Sequence, residues 1–66
     1  MQLLDLLVAL SGNANLNITL TDKTGSELIT FNAGGYGSVE SDLGTRIVER
    51  VTVCSLNKVV ISLENA

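Results

Sequence analysis

The segment of this sequence best suited to bind a ligand is a run of glycines around one tyrosine. It comprises Gly34, Gly35, Tyr36, Gly37 and Ser38, and none of these residues is charged. Glycines let backbone N–H groups turn outward and approach an anion closely, as they do in nests and phosphate loops. Tyr36 is one of two aromatic residues in the chain and offers a ring that can stack on a base. We therefore predict a small-ligand site in this segment.

Two arginines follow the glycine-rich segment and extend the predicted site. Arg46 and Arg50 are four residues apart, so on a strand they share one face, and Arg46 is nearer to the glycines. A guanidinium beside glycine amides is a suitable place for a phosphate or a carboxylate. The pattern is neither a Walker nor a dinucleotide fingerprint, because the Lys-Ser/Thr pair and the following long helix are missing. We predict that both arginines contribute to ligand binding.

A structural interpretation of the same residues remains open. The glycines would then form a flexible crossover between strands, and the Tyr36 ring would cover the edge of the core. The two arginines would pair with nearby acids instead of a ligand, the candidates being Glu40, Asp42 and Glu49.

Catalysis is poorly supported by the residues present. The chain has no histidine, which is the usual general acid or base near neutral pH. Glu40 and Asp42 are the one close carboxylate pair, and they fall in a predicted helical turn, where acids complement the helix dipole. Cys54 is the only thiol, lacks a histidine partner and lies in an apolar strand, which indicates a packing role. We predict no enzyme, no catalytic residue, no metal site and no cofactor.

The elements that position these residues begin with a helix over residues 2–11. Gly12 is suited to the left-handed position that ends such a helix. Residues 16–21 alternate apolar and polar side chains and predict a strand with one wet face. The helix has an apolar face at helical spacing, widened by further apolar residues: Leu3, Leu7 and Leu10, with Leu4, Leu6 and Val8.

Turn-forming residues between four predicted strands indicate that the strands form one sheet. Asp22-Lys23-Thr24-Gly25 predicts a hairpin turn with Gly25 in the left-handed conformation. Ser38 is expected to cap one helical turn over residues 39–43. A helix followed by strands predicts an α+β fold: one N-terminal helix packed on a four-stranded antiparallel meander, in a single domain over residues 1–66. The strands are predicted over residues 16–21, 27–33, 47–54 and 59–63.

The alternation within each strand assigns its side chains to the two faces of the sheet. Eight apolar residues are predicted to face the helix: Leu16, Ile18, Leu20, Val51, Val53, Val59, Ile61 and Leu63. The far face is predicted to hold Leu28, Val48, Cys54 and Val60 among Thr19, Thr21, Thr30, Thr52 and Ser62. Such a short, neutral surface suits association between copies, and a solvated threonine-rich face is the alternative. The predicted oligomer interface consists of Leu28, Thr30, Val48, Thr52 and Val60.

The composition also favours a homo-oligomer. A 66-residue chain has a thin core. Because 45% of its residues are hydrophobic and only 17% are charged, few charged side chains are available to cover the surface of an isolated chain. A net charge of −3 argues against nucleic acid as a partner. One cysteine is consistent with the reducing cytoplasm. The leucine-rich start lacks a basic region, carries Asp5 and is too short to cross a bilayer, so we expect neither a signal peptide nor a membrane partner.

Several short stretches that follow the leucine-rich helix carry a resemblance: Glu27-Leu28-Ile29-Thr30-Phe31, Gly35-Tyr36, Leu43 and Arg46-Ile47-Val48. In these the chain resembles small accessory proteins encoded by bacteriophages and related mobile elements. Proteins of that kind often act as host-manipulating or counter-defence factors, and some are oligomeric sponges that sequester nucleotide immune signals in pockets between subunits. The resemblance implies a role for the glycine-rich segment and Arg46, in the cytoplasm of a bacterial host.

Two functional hypotheses follow. The first is a homo-oligomeric, non-enzymatic accessory protein that sequesters a nucleotide-derived immune signal, with Tyr36 on the base or ribose and Arg46 on a phosphate. The second is an interaction module that inhibits or adapts a host or phage protein through its sheet edge or its threonine-rich face. A minor structural protein of a phage particle is a further alternative.

Overall fold

The leucine-rich start of the chain forms helix α1, Leu3–Leu10. The computed structural model describes residues 1–64, and of Ser38 it describes only the backbone. One stripe of helix α1 lies in the core. The spacing of the stripe follows the helical period, so the predicted helix and its apolar face are confirmed. Four leucines form the stripe: the fully buried Leu3 and Leu7 and the half-buried Leu6 and Leu10.

Helix α1 ends at Ser11, whose backbone remains right-handed. The Ser11 hydroxyl donates a hydrogen bond of 2.7 Å to the Val8 carbonyl oxygen, one of the acceptors that a helix end leaves without an intrahelical partner. The predicted left-handed ending at Gly12 is wrong, since Gly25 alone among the described residues has a positive φ.

Four strands form a single mixed sheet. Its order is β2-β1-β4-β3, with β1 and β4 parallel in the centre and an antiparallel hairpin partner at each edge. The prediction of an α+β fold with one N-terminal helix and four strands is therefore confirmed, and the purely antiparallel meander is wrong. The strands are β1 (Asn17–Thr21), β2 (Glu27–Asn32), β3 (Val48–Ser55) and β4 (Lys58–Leu63).

The difference arises in the connection between β2 and β3. It contains a 3₁₀ helix, Ala33–Ser38, and a one-turn helix α2, Ser41–Gly44. A connection of this length carries the chain from one edge of the sheet to the other, whereas a meander needs only a tight turn. The crossing leaves the apolar strands β1 and β4 in the middle. Strand β3, which carries Glu49 and Arg50, lies at an edge, where charged side chains stay hydrated.

Backbone hydrogen bonds attach α1 to the start of β3. The Leu3 N–H donates to the Arg46 carbonyl oxygen at 2.8 Å, and the Val48 N–H donates to the Met1 carbonyl oxygen at 2.9 Å. Gln2 and Ile47 form an isolated antiparallel bridge between these two bonds. The helix therefore begins beside an edge strand.

The turn between β1 and β2 is built around Asp22. Its carboxylate accepts hydrogen bonds from the Thr24 hydroxyl at 2.6 Å, the Thr24 N–H at 2.9 Å and the Ser26 N–H at 3.0 Å. These bonds, the Thr24 hydroxyl first among them, hold the pKa of Asp22 below its ordinary value because they favour the charged carboxylate. Gly25 has a φ of 95°, so the predicted turn and the predicted role of this glycine are confirmed.

Most of the side chains predicted to face the helix lie in the core. Val51 and Val53 share that side of the sheet, since they pair with the buried Ile61 and Val59, yet they remain 45% and 72% exposed. The eight-residue helix α1 does not cover this end of β3. The buried six are Leu16, Ile18, Leu20, Val59, Ile61 and Leu63.

Two bulges in β3 change which side its residues face. The register shifts between Val48 and Arg50, and Val48 packs against the core, so its predicted place on the far face is wrong. A second shift between Val53 and Ser55 contains Cys54, which is exposed and does not have the predicted packing role. The extra residue of a bulge interrupts the alternation of side chains, so a period-two pattern assigns the wrong face beyond it.

All three helical elements lie on one side of the sheet. Tyr36 and Val39 pack against the same core as α1, as does Leu43 of α2. The opposite side, here called the far face, carries none of these elements. Its middle row contributes one residue from each strand: Thr30, Thr19, Val60 and Thr52.

Candidate functional site

A cleft opens between α1 and the connection from β2 to β3. It has a volume of about 270 Å³, and its wall is mostly apolar. Among the described residues of its lining, Glu40 is the only one with a charge at neutral pH. A concave surface of this polarity suits a small apolar or planar group with a few hydrogen bonds at its edge. The lining residues are Leu4, Leu7, Tyr36, Gly37, Val39, Glu40, Ser41, Gly44 and Thr45.

The width of the cleft depends on a close approach between the two helices. A Cβ atom added at the buried Gly44 would lie 3.6 Å from the Leu4 Cβ, so α2 and α1 are in near contact at this point. Leu4 nevertheless remains 47% exposed, because α2 is a single turn and leaves the rest of the helix flank open. The exposed part of Leu4 forms the cleft wall opposite the 3₁₀ helix.

The glycine-rich segment contributes to the cleft without forming an open anion-binding loop. It folds as a 3₁₀ helix with a kink at Gly35, whose φ of −102° and ψ of 21° are not helical. The Gly34 N–H donates to the Ala14 carbonyl oxygen at 3.3 Å. Tyr36 and Gly37 line the cleft, whereas Gly34 and Gly35 do not. The predicted contribution of the Ser38 side chain lies outside the described part of the structure.

Arg46 forms an ion pair with an acid four residues before it in the chain. Its Nη2 is 3.2 Å from Oδ2 of Asp42, which is the pairing that the structural interpretation anticipated. The Asp42 side chain is 75% exposed, so the pair stabilises the fold by only about 0–1 kcal/mol. Thr45, the residue before Arg46 in the chain, lines the cleft, whereas Arg46 is not among the lining residues.

Arg50 lies elsewhere. It pairs with Ser62 across the β3–β4 ladder and lines a second cleft, of about 290 Å³, that shares no lining residue with the first. The four-residue spacing predicted one shared face for Arg46 and Arg50. Arg46 precedes β3, however, and the bulge at Glu49 falls between the two arginines. The structure therefore does not bring Arg50 together with Tyr36.

The residues of the predicted oligomer interface are placed mainly on the far face. Thr30 and Thr52 are exposed there, Val60 is half-buried between them, and Leu28 is 42% exposed at the edge. Val48 is the exception, because it packs on the core side. Four of the five residues therefore form a surface that another molecule can reach.

Sequence reasoning missed most of the lining of the first cleft. Leu4 and Val39 contribute apolar side chains, and Glu40, Ser41 and Thr45 contribute polar ones. One signal was present: a helix that is apolar nearly all round must face something besides a sheet. Nothing in the sequence indicated that α2 would be its second neighbour. The two helices are separated in the chain by β1 and β2 and come into contact only when the whole domain is folded.

The two acids closest to the cleft in the sequence have different surroundings in the structure. Glu40 lines the cleft, while Asp42 pairs with Arg46 outside it. Within residues 1–64 no group of three or more His, Cys, Asp or Glu side chains is placed to hold a metal ion.

Comparison of the chain with protein-family models, with curated proteins and with solved structures finds no match. Among the described residues there is no helix with the length and hydrophobicity needed to cross a membrane. A functional proposal for this chain therefore depends on the geometry of its own clefts and surfaces.

Proposed function

We propose that the chain is a non-enzymatic binding protein that holds the planar part of a small molecule in the cleft beside α1. The observation that supports this proposal is the open, mostly apolar cleft with Tyr36 in its wall. Leu4 exposes apolar surface there, and a ligand that covers this surface gains the free energy of removing it from water. A tyrosine beside apolar side chains offers both a stacking face and a hydroxyl group.

A nucleotide-derived signal molecule is the ligand class that we propose. The cleft volume of about 270 Å³ is at the lower end for small-molecule sites, which suits one ring system better than a complete dinucleotide. Glu40, Ser41 and Thr45 offer hydrogen-bonding groups for the edge of a base. A phosphate attached to that base would take the place of Asp42 on the Arg46 guanidinium, since the existing pair is exposed and weak.

In this proposal sequestration is itself the activity. The protein acts as a phage-type counter-defence factor in the cytoplasm of a bacterial host, where it lowers the free concentration of an immune signal. Association of several chains would present several clefts on one particle. The exposed row of Thr30 and Thr52 on the far face supports such an assembly, because it offers neutral, hydroxyl-rich surface to a second copy.

The test is a ligand titration followed by nuclear magnetic resonance on the isotopically labelled protein. Nucleoside monophosphates of the four common bases are the probes. At least one of them should shift the amide signals of Leu4, Gly37, Ser41 and Thr45. Tyr36→Ala should weaken that binding about 5- to 150-fold, because it removes a stacking contact worth roughly 1–3 kcal/mol. Tyr36→Phe retains the ring and is the matched control, with affinity within about threefold of the original.

Two results together would contradict the proposal. The first is that no nucleotide shifts the amides of the cleft. The second is that native mass spectrometry of the protein isolated from infected cells shows no bound molecule that is released on denaturation. Binding that survives Tyr36→Ala unchanged would place the ligand outside this cleft.

A second candidate function has its own observation. The far face carries none of the helical elements, and Val51 and Val53 are exposed at the β3 edge on the other side. These surfaces support an interaction module that inhibits or adapts a host or phage protein. In that case Arg46→Ala leaves partner binding intact, whereas Thr30→Arg or Val60→Glu abolishes it.

A further inference from the structure

A second cleft lies on the far face, where the β1–β2 turn meets β3 and β4. Its volume is about 290 Å³. Lys23 of the turn and Arg50 of β3 line it, together with the hydroxyl-bearing side chains of Thr52 and Ser62. The cleft beside α1 contains no cation in its described lining, so the two surfaces differ in chemistry as well as in position.

The two cations of this cleft have no acidic partner among residues 1–64. Lys23 and Arg50 are two of only four basic residues in a chain of net charge −3. Neither forms an ion pair with any carboxylate in the part of the chain that the structure describes. Glu49 is the one acid among the described residues that line the cleft, and it is not bonded to either of them. An anion bound between them would offset their mutual repulsion.

Asp22, the residue before Lys23, is engaged within the turn through one carboxylate oxygen. Its Oδ1 accepts hydrogen bonds from the Thr24 hydroxyl, the Thr24 N–H and the Ser26 N–H. The Ser62 hydroxyl donates to the Asp22 carbonyl oxygen at 3.1 Å and fastens the turn to the end of β4. The turn and the sheet therefore form a fixed wall between Lys23 and Arg50, which limits the loss of conformational entropy on binding.

We propose that this cleft binds a small oxyanion, the phosphate group of a soluble molecule. The Arg50 guanidinium presents two parallel N–H groups to two phosphate oxygens, and the Lys23 ammonium provides a point charge for a third. The Thr52 hydroxyl supplies a neutral donor. Glu49 opposes the anion as a like charge on the same cleft. The site involves none of the residues of the proposed nucleotide cleft, so each of the two proposals can fail alone.

The experiment is a titration of the labelled full chain with inorganic phosphate at about pH 7.5, where phosphate is mostly a dianion. Chloride keeps the ionic strength constant. The amides of Lys23, Gly25, Arg50 and Thr52 should shift along one saturating curve. Arg50→Gln should weaken phosphate binding at least about tenfold, and Glu49→Gln should strengthen it several-fold. Lys58→Gln, which removes an equally exposed cation outside this cleft, should leave the affinity unchanged.

The two substitutions are expected to change phosphate affinity in opposite directions, Glu49→Gln raising it and Arg50→Gln lowering it. A poorly folded variant can only lose affinity, so the gain in Glu49→Gln tests the proposal even if Arg50→Gln does not fold. Shifts that rise without saturation, or that Lys58→Gln reduces as much as Arg50→Gln, would show non-specific attraction of counterions and overturn the proposal. An unchanged affinity in Arg50→Gln would overturn it as well. Tyr36→Ala should have no effect on this titration.

Discussion

Gly34 is the position in the glycine-rich segment where a side chain has no room. A Cβ atom there would lie 2.9 Å from the Ala14 Cβ and 3.3 Å from the Ala14 Cα. At Gly35 and Gly37 an added Cβ would meet nothing within 4 Å. The 3₁₀ helix therefore packs on the loop after α1 through one glycine, and the others are not required by contacts.

Gly34→Ala should destabilise the protein by about 1–3 kcal/mol, because the added methyl group would overlap the Ala14 side chain and force the two backbone segments apart. Gly35→Ala is the matched control and should change the free energy of unfolding by less than about 0.5 kcal/mol. Urea unfolding of the three proteins measures both values. Equal losses in the two variants would show that backbone freedom, and not the Ala14 contact, explains the glycines.

The residues of the candidate site differ in how far the sequence could identify them. Tyr36 and Gly37 could be identified, because a tyrosine among uncharged glycines is visible in the sequence itself. Both residues line the cleft in the folded structure. Arg50 could not be assigned correctly, since its side depends on a bulge at Glu49 that leaves no local signal. Leu4 could be expected to have a second neighbour, but its partner α2 is brought there by the whole fold.

At the scale of elements, β3 is the least covered strand of the sheet. Val53 and Val59 pair across β3 and β4 on the same side, yet Val53 is 72% exposed and Val59 is 7% exposed. The residue type is the same for both, but β4 is a central strand paired on both sides and β3 is an edge strand paired on one side. The exposure of Val53 shows that α1 does not cover this end of the edge strand.

This contrast gives a paired prediction. Val59→Ala should lower the free energy of unfolding by about 2 kcal/mol, because it removes buried methyl groups and leaves a cavity. Val53→Ala should change the free energy of unfolding of the monomer by less than about 0.5 kcal/mol. Chemical denaturation at low protein concentration measures both. A loss at Val53 as large as that at Val59 would mean that another molecule covers the end of β3.

The hairpins of the fold could be predicted from sequence, and their arrangement could not. The β1–β2 turn is encoded locally by Asp22 and Gly25, whose hydrogen bonds and positive φ form without help from the rest of the chain. The β1–β4 pairing depends on burying Leu20 and Ile61 side by side in the centre. No turn or spacing records that choice, so the meander and the mixed sheet are equally compatible with the pattern of alternation.

At the scale of the whole molecule, the chain is compact but leaves several large apolar side chains exposed. Its accessible surface of 3954 Å² is close to the roughly 4,000 Å² normal for a monomer of this mass. Several large apolar side chains remain outside the core: Met1, Leu4, Val8, Leu28, Val51, Val53 and Leu56. Surface of this kind supports the proposed self-association, since it is removed from water when copies pack together.

If the protein is a homo-oligomer, its thermal midpoint should depend on concentration. A dilution of about a hundredfold should lower the midpoint by about 5–10 °C, because dissociation accompanies unfolding. Thr30→Arg on the far face should remove this dependence, and Asp5→Arg on the exposed side of α1 is the control that should retain it. A midpoint independent of concentration, with a solution mass of one chain, would contradict the homo-oligomer.

The central parallel pair also determines when the domain can fold. Each hairpin joins neighbouring segments, but β1 and β4 pair Asn17 with Lys58, across most of the chain. Closing so long a loop costs entropy before any central contact forms, so docking of two preformed hairpins is the expected slow step. During synthesis β1 has no central partner until β4 has left the ribosome. The first hairpin must therefore wait with one edge unpaired, and the speed of translation sets how long that edge is exposed to other chains.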